Sequence, residues 1–67
     1  MLTIEIEQEA DGRWIAAVTA LPGALAYGAT EAEARSKAAA LALRVIADRI
    51  EHGEPVSEEA RGLFALA

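Results

Sequence analysis

The first part of the chain alternates between apolar and polar side chains, which is the two-residue period of a half-buried β-strand. One face carries Leu2, Ile4 and Ile6, and the other carries Thr3, Glu5 and Glu7. The next turn signal is Asp11-Gly12, a pair that supplies the positive φ angles required by a tight hairpin connection. We therefore predict a first strand over residues 2–7 and a second over residues 13–19, where aromatic and β-branched side chains are enriched.

A second turn is predicted at Leu21-Pro22-Gly23. Proline presets φ for the first central position of a type II turn, and glycine tolerates the positive φ of the next position. A third strand over about residues 24–28 would then return alongside the second. The first part of the chain is thus predicted to form a three-stranded antiparallel meander.

A long helix is predicted from Thr30 to about Glu51. Thr30 and Glu33 have the spacing of a capping box, in which the threonine oxygen accepts from the amide three residues on and the glutamate reaches back to the threonine amide. His52-Gly53 is a C-terminal stop signal, and Pro55 prevents the helix from continuing. The predicted fold class is therefore α+β, with a three-stranded antiparallel meander followed by one long helix.

The apolar surface of this helix is wider than one small sheet can cover. Its polar strip consists of Glu33, Lys37, Arg44, Asp48 and Glu51. Nearly all other positions are apolar, and the far edge of the apolar arc includes Leu43 and Ile50. This surplus indicates a second contact, with another subunit or a partner protein. The alternative is that so much alanine reflects only the use of a good helix former.

The tail, residues 56–67, has two interpretations. Ser57 could cap a short helix through Arg61, or the apolar residues 63–66 could add a short C-terminal strand to a sheet edge or to a neighbouring chain. A loose apolar terminus is an aggregation liability, so we expect the tail to be docked. The chain is then a single domain, residues 1–67, with a core over about residues 2–55.

The length of 67 residues is small for a self-sufficient core. Domains of this size usually depend on disulfides, a metal or a partner chain for stability. The chain has no cysteine and one histidine, His52, which argues against a disulfide or a structural metal site, and we expect no cofactor. Self-association into a homodimer or higher oligomer is the remaining means of stabilisation.

Composition and charge narrow the class of partner. Hydrophobic residues make up 54% of the chain, which argues against disorder, and the formal net charge is -5. An acidic field repels phosphate backbones, and the basic residues are scattered, so direct DNA binding is not expected. The first residues lack a basic segment, and no apolar run approaches the roughly 20 residues that span a bilayer. We expect no membrane association and a cytoplasmic location.

Four features in a fixed order resemble the HicB-like antitoxin family. They are the Asp11-Gly12 hairpin with the strand that begins at Trp14, the Leu21-Pro22-Gly23 turn, the segment from Gly28 to Ala34 with Thr30 and Glu33 at the helix start, and Gly53-Glu54-Pro55 after the helix. The resemblance covers about residues 4–55. It implies a β-β-β-α core similar to a truncated ribonuclease H fold.

The resemblance also implies a function. Members of this family neutralise HicA-type toxins, small basic ribonucleases that cleave messenger RNA, by occluding the catalytic surface of the toxin. The helix-turn-helix or ribbon-helix-helix module of the full-length pattern does not follow the core in this sequence, so we expect no operator binding by this chain. An orphan scaffold or regulator with a different protein partner is the alternative.

The acidic residues Glu5, Glu7 and Asp11 also have a catalytic interpretation, because a ribonuclease H active site holds two metal ions between carboxylates. The structural interpretation places Glu5 and Glu7 on a solvated strand face and assigns Asp11 to turn geometry. His52 lies at a helix end, where histidine commonly caps carbonyl groups. We expect no enzymatic activity, and a metal-dependent nuclease is the less favoured alternative.

The candidate interface residues are apolar and aromatic side chains in excess of what the core needs. They are Trp14, Tyr27, Leu43, Ile46, Ile50, Leu63 and Phe64. Trp14 and Tyr27 lie on strands predicted to be neighbours, and they would act as binding anchors or as a cross-strand pair under the helix. The acidic side chains of the first hairpin would steer a basic partner, or they serve only solubility.

Overall fold

The computed structural model describes residues 2–62, and for Glu59 only the backbone. The elements are β1 (Ile4–Gln8), β2 (Trp14–Val18), β3 (Leu25–Gly28), α1 (Glu31–Glu51) and α2 (Glu58–Arg61). The strands form one antiparallel sheet in the order β1-β2-β3. The predicted α+β class, a three-stranded meander followed by one long helix, is confirmed.

The first hairpin has a three-residue loop, residues 10–12, between the hydrogen-bonded residues Glu9 and Arg13. The Glu9 amide donates to Arg13 O at 2.7 Å, and the Gly12 amide donates back to Glu9 O at 3.0 Å. Only Gly12 in this loop has a positive φ, at 91°, so the prediction that Asp11 shares this conformation is wrong. Asp11 contributes through its side chain instead, because its Oδ1 accepts from the Arg13 amide at 3.1 Å.

The second turn has the predicted geometry. The Ala24 amide donates to Leu21 O at 2.9 Å, and Gly23 has φ of 89°. These are the closing hydrogen bond and the positive φ of a type II turn. Leu21 is itself buried, so the turn is part of the core.

Helix α1 begins and ends where its capping signals predict. Thr30 Oγ1 accepts from the Glu33 amide at 3.1 Å, while the Glu33 carboxylate accepts from Lys37 Nζ at 2.9 Å, so we observe one half of the capping box within the described residues. At the other end the His52 amide donates to Asp48 O at 3.1 Å, and Gly53 adopts φ of 69°. The left-handed glycine ends the helix.

The core between sheet and helix is thin. The buried residues are Ala16, Val18, Leu21, Ala24, Ala34, Ala38, Ala42, Ile46 and Ala60. Most of them are alanine, and the larger side chains among these buried residues are Val18, Leu21 and Ile46. A core of small side chains removes little apolar area from water.

The tail begins with a short helix. Ser57 Oγ accepts from the Ala60 amide at 3.2 Å, which caps α2, and Ala60 is fully buried. The helical interpretation of this segment is therefore correct. The alternative of a strand at residues 63–66, like the candidate interface residues Leu63 and Phe64, lies outside the described residues.

Candidate interaction surfaces

One face of the sheet carries α1, and the other face is an acidic surface with an apolar centre, here called the open face. Its side chains are Glu5, Glu7, Ile15, Ala17, Leu25 and Tyr27. The strand register arranges them in two rows, Glu7–Ile15–Tyr27 and Glu5–Ala17–Leu25. None of the elements within residues 2–62 packs over this face, and Leu25 and Tyr27 are 43% and 40% exposed.

A shallow groove crosses the open face. It has a volume of about 150 Å³ and is lined by the β1 carboxylates Glu5 and Glu7 and by the β2 side chains Ile15 and Ala17. The carboxylates are exposed and the β2 side chains are half-buried. The groove therefore combines two negative charges with an apolar floor, a combination suited to a basic side chain that has an aliphatic stem.

Tyr27 forms the aromatic end of the open face. The guanidinium carbon of Arg13 lies 4.6 Å from the centre of the Tyr27 ring, within the range of a cation–π contact. Arg13 Nε also lies 2.8 Å from Asp11 Oδ2. The backbone amide of Arg13, and next its side chain, hold the pKa of Asp11 below its ordinary value.

Trp14 lies on the opposite side of the sheet from Tyr27. It pairs in register with Gly28, whereas Tyr27 pairs with Ile15. The two aromatic side chains therefore do not form a cross-strand pair, because neighbouring residues on a strand point to opposite faces. Trp14 is half-buried and packs against the core. The structural interpretation is therefore right in placing Trp14 under the helix and wrong in pairing it with Tyr27.

A second surface, here called the apolar shelf, runs along α1 and β1. Its residues are Leu2, Ile4, Ala39, Leu43, Ala47 and Ile50. Leu43 and Ile50 are 56% and 39% exposed, and Ile46 below them is buried at 2%. Leu43 borders two grooves: one of about 260 Å³ toward Ile50, and one of about 210 Å³ toward Leu2.

The part of the shelf at Ala47 and Ile50 follows from a difference in length between the helix and the strands. Helix α1 has 21 residues and is about 31 Å long, whereas the strands have four or five residues and span about 17 Å. The end of the helix extends past the sheet, and its apolar side chains there lack a sheet to cover them.

The three carboxylates considered for catalysis do not come together as one cation-binding group within the described residues. Glu5 and Glu7 are exposed on β1, and Asp11 is paired with Arg13 in the hairpin. Within residues 2–62, the three groups close enough to share a cation are Asp48, His52 and Glu54 at the end of α1.

The His52 cluster has a structural explanation. His52 Nδ1 lies 2.8 Å from Asp48 O and 3.4 Å from Asp48 Oδ1, and all three side chains are exposed. His52 thus caps a helix carbonyl, as its position in the sequence predicts.

Sequence reasoning missed part of both surfaces. Leu2, Ile4 and Ala47 of the shelf, and Ile15 and Leu25 of the open face, are absent from the predicted interface. In the strands, alternation in the sequence shows which residues share a face. Which face is covered depends on where the helix lies over the sheet, and the sequence pattern does not show that.

Within the described range of the chain, no helix combines the length and apolarity needed to cross a membrane. Comparison of the chain with family models, curated proteins and solved structures finds no match.

Proposed function

We propose that this chain is a non-catalytic protein-interaction domain of the HicB-like type, which associates with itself and binds and occludes a small basic HicA-type toxin that cleaves messenger RNA. The observation that carries the proposal is the open face, where two carboxylates flank an exposed apolar strip. The order of sequence motifs described above supplies the family resemblance. The proposal implies a cytoplasmic protein, because the messenger RNA cleaved by the toxin is there.

The open face is suited to a basic partner. Glu5 and Glu7 supply negative charge at the groove, and the formal net charge of -5 favours the approach of a cationic protein. Tyr27 supplies an exposed aromatic ring at the end of the same row as Glu7 and Ile15. Aromatic side chains of this kind concentrate binding energy at protein interfaces.

The experiment is co-expression with the small basic protein encoded next to this chain. Purification of the tagged chain is expected to recover that protein, and co-expression is expected to relieve the growth arrest that the basic protein causes alone. The double variant Glu5→Lys/Glu7→Lys reverses the charge of the groove and should weaken binding by at least tenfold. Both side chains are exposed, so the fold should be retained.

The matched control is Glu54→Lys/Glu58→Lys. It makes the same change in net charge at exposed positions away from the open face, and it should leave binding within about threefold, because charges separated by more than a Debye length are largely screened. Equal loss of binding in both double variants would mean that net charge alone, and not the open face, attracts the toxin.

Two results would redirect the proposal. Stable binding of a non-toxic protein at the open face would make the chain an orphan scaffold or regulator. RNA cleavage by the purified chain with magnesium or manganese, lost in Glu5→Ala or Asp11→Ala, would make it a nuclease.

A further inference from the structure

Strand β1 is the least covered part of the sheet. Helix α1 packs mainly on β2 and β3 and contacts β1 at few positions. The helix-side residues of β1 and the segment before it, Leu2, Ile4 and Ile6, are only half-buried. This uncovered strip meets the exposed Leu43 at a groove of about 210 Å³. One side of the molecule therefore combines an incompletely covered sheet with an incompletely covered helix.

The same side presents a strand edge whose backbone groups have no partner within residues 2–62. β1 is the first strand of the sheet and pairs with β2 alone. Thr3 O accepts from the Thr19 amide at 3.2 Å, and the Glu9 amide donates to Arg13 O at 2.7 Å. Hydrogen-bonded pairs alternate along an antiparallel ladder, so the odd-numbered residues bond to β2 and the even-numbered ones direct their backbone groups outward.

We propose that a second copy of this chain pairs with β1, antiparallel, about a two-fold axis at Ile4. The Ile4 residues of the two copies then exchange backbone hydrogen bonds, and Leu2 of each copy pairs with Ile6 of the other. A strand edge is self-complementary under such an axis, since each donor of one copy meets an acceptor of the other. The two three-stranded sheets become one sheet of six strands.

The charges on β1 favour this register over those centred further along the strand. A two-fold axis at Ile6 would place Glu5 of each copy opposite Glu7 of the other, and an axis at Glu5 would place the two Glu5 side chains opposite each other. Like charges directly opposite on neighbouring strands are destabilising. With the axis at Ile4, Glu5 lies opposite Thr3 of the second copy, so no two glutamates are directly opposed among the paired residues.

The same arrangement covers the apolar shelf next to β1. A two-fold axis perpendicular to the sheet keeps both α1 helices on one face of the six-stranded sheet. Leu2, Ile4 and Ile6 from both copies then lie between the two helices, and Leu43 of each helix borders this strip. The open face lies on the other side of the sheet, so each copy keeps it free for a different partner.

Cysteine cross-linking tests the register, because the chain contains no cysteine. With the axis at Ile4, Thr3 and Glu5 of the other copy form a non-hydrogen-bonded pair with Cα atoms about 4.5 Å apart, within the range of a disulfide. Mixing Thr3→Cys and Glu5→Cys chains under diamide should give a covalent dimer. Each variant alone should give little, because identical positions are then diagonal, about 7–8 Å apart.

Charge variants at the same pair give an independent measurement. Thr3→Glu places two like-charge pairs across the interface and should raise the dimer dissociation constant about 2- to 30-fold, and Thr3→Lys should lower it by a similar factor. Thr19→Glu and Thr19→Lys are the matched controls. Thr19 is exposed and lies next to Thr3 on the same face, but one strand away from the axis, so these changes should have little effect.

The inference rests on the self-association part of the proposed function and is independent of the toxin. A covalent dimer from the Thr3→Cys and Glu5→Cys mixture supports it. Cross-linking of Glu5→Cys alone, or of Glu5→Cys with Glu7→Cys, overturns the register. If sedimentation shows a dimer but no β1 cross-link forms, the chain self-associates through a surface other than β1. A monomer at millimolar concentration overturns both the β1 pairing and self-association. Toxin binding is measured separately, so its success or failure does not depend on the result of these dimer experiments.

Discussion

Gly28 at the end of β3 lies directly against Ala34 in the first turn of α1. A Cβ atom built on Gly28 would lie 2.5 Å from Ala34 N and 3.0 Å from Ala34 Cα. Both are backbone atoms of the helix, so they cannot move aside as a flexible side chain would. The absence of a side chain at Gly28 therefore allows the helix to start close to the sheet, and this contact sets where α1 crosses the strands.

The first prediction concerns this contact. Gly28→Ala should destabilise the fold by about 1–3 kcal/mol or more, because the new methyl group forces the helix away from β3. Gly53→Asn is the control: nothing lies within 4 Å of a Cβ at Gly53, and asparagine tolerates its positive φ at a cost of under about 1 kcal/mol. Urea unfolding of both variants measures the difference, and equal stabilities would contradict the close approach.

The second prediction separates the core from the shelf. Ile46→Ala should cost about 2–5 kcal/mol, because it leaves a cavity in a core made mostly of alanine. Leu43→Ala, one turn away along the helix, should change the stability of the dilute monomer by no more than about 0.5 kcal/mol, because Leu43 is 56% exposed. Unfolding curves at low protein concentration measure both. A large cost for Leu43→Ala under these conditions would mean that the monomer itself covers this side chain.

Local signals predicted most of the fold. The turns at Gly12 and Gly23, the Thr30 cap and the end of α1 each depend on a few adjacent residues, and the structure has all of them. The relation between Trp14 and Tyr27 was not predictable in the same way. Whether the two side chains share a sheet face depends on the register between β2 and β3. Which of them lies under the helix depends on which face the helix covers, and distant contacts such as Gly28 against Ala34 decide that.

The candidate surfaces were also predicted only in part. The helix pattern identified Leu43 and Ile50 as surplus apolar residues, and both are exposed. The contribution of Leu2 and Ile4 to the shelf depends on β1 being an edge strand that α1 barely contacts. The predicted meander already places β1 at an edge of the sheet. How little of β1 the helix covers is a property of the whole fold, so the alternation of residues 2–7 could not reveal it.

The third prediction concerns the start of α1. Thr30→Ala should destabilise the fold by about 1 kcal/mol, because the Glu33 amide loses the Thr30 oxygen that lies 3.1 Å away. Thr30→Ser keeps an oxygen at this position and should restore most of the loss. Thermal unfolding followed by circular dichroism compares the three proteins. A serine variant as unstable as the alanine variant would exclude the cap as the cause.

The fourth prediction concerns the pH dependence of the hairpin. The Arg13 amide and then its side chain lower the pKa of Asp11, so the stabilisation from this carboxylate is complete above the unfolded-state pKa and is lost as pH falls through the folded-state pKa. Arg13→Gln removes the side-chain contribution but keeps the amide. The pKa of Asp11 should therefore rise and still remain below its ordinary value.

Carbon-detected NMR titration of the Asp11 carboxyl measures this shift. Arg44→Gln serves as the control, because it removes the same charge from an exposed position on the helix. A complete return of the Asp11 pKa to its ordinary value in Arg13→Gln would show that the backbone hydrogen bond contributes nothing.

The central claim is that the chain needs a companion to cover β1 and the apolar shelf, and sedimentation equilibrium from micromolar to millimolar concentration tests it most directly. The claim predicts that the average mass rises from the 7.0 kDa of one chain toward twice that value, and that Leu43→Ser shifts this rise to higher concentration. A wild-type mass that stays at that of one chain over the whole range would contradict it.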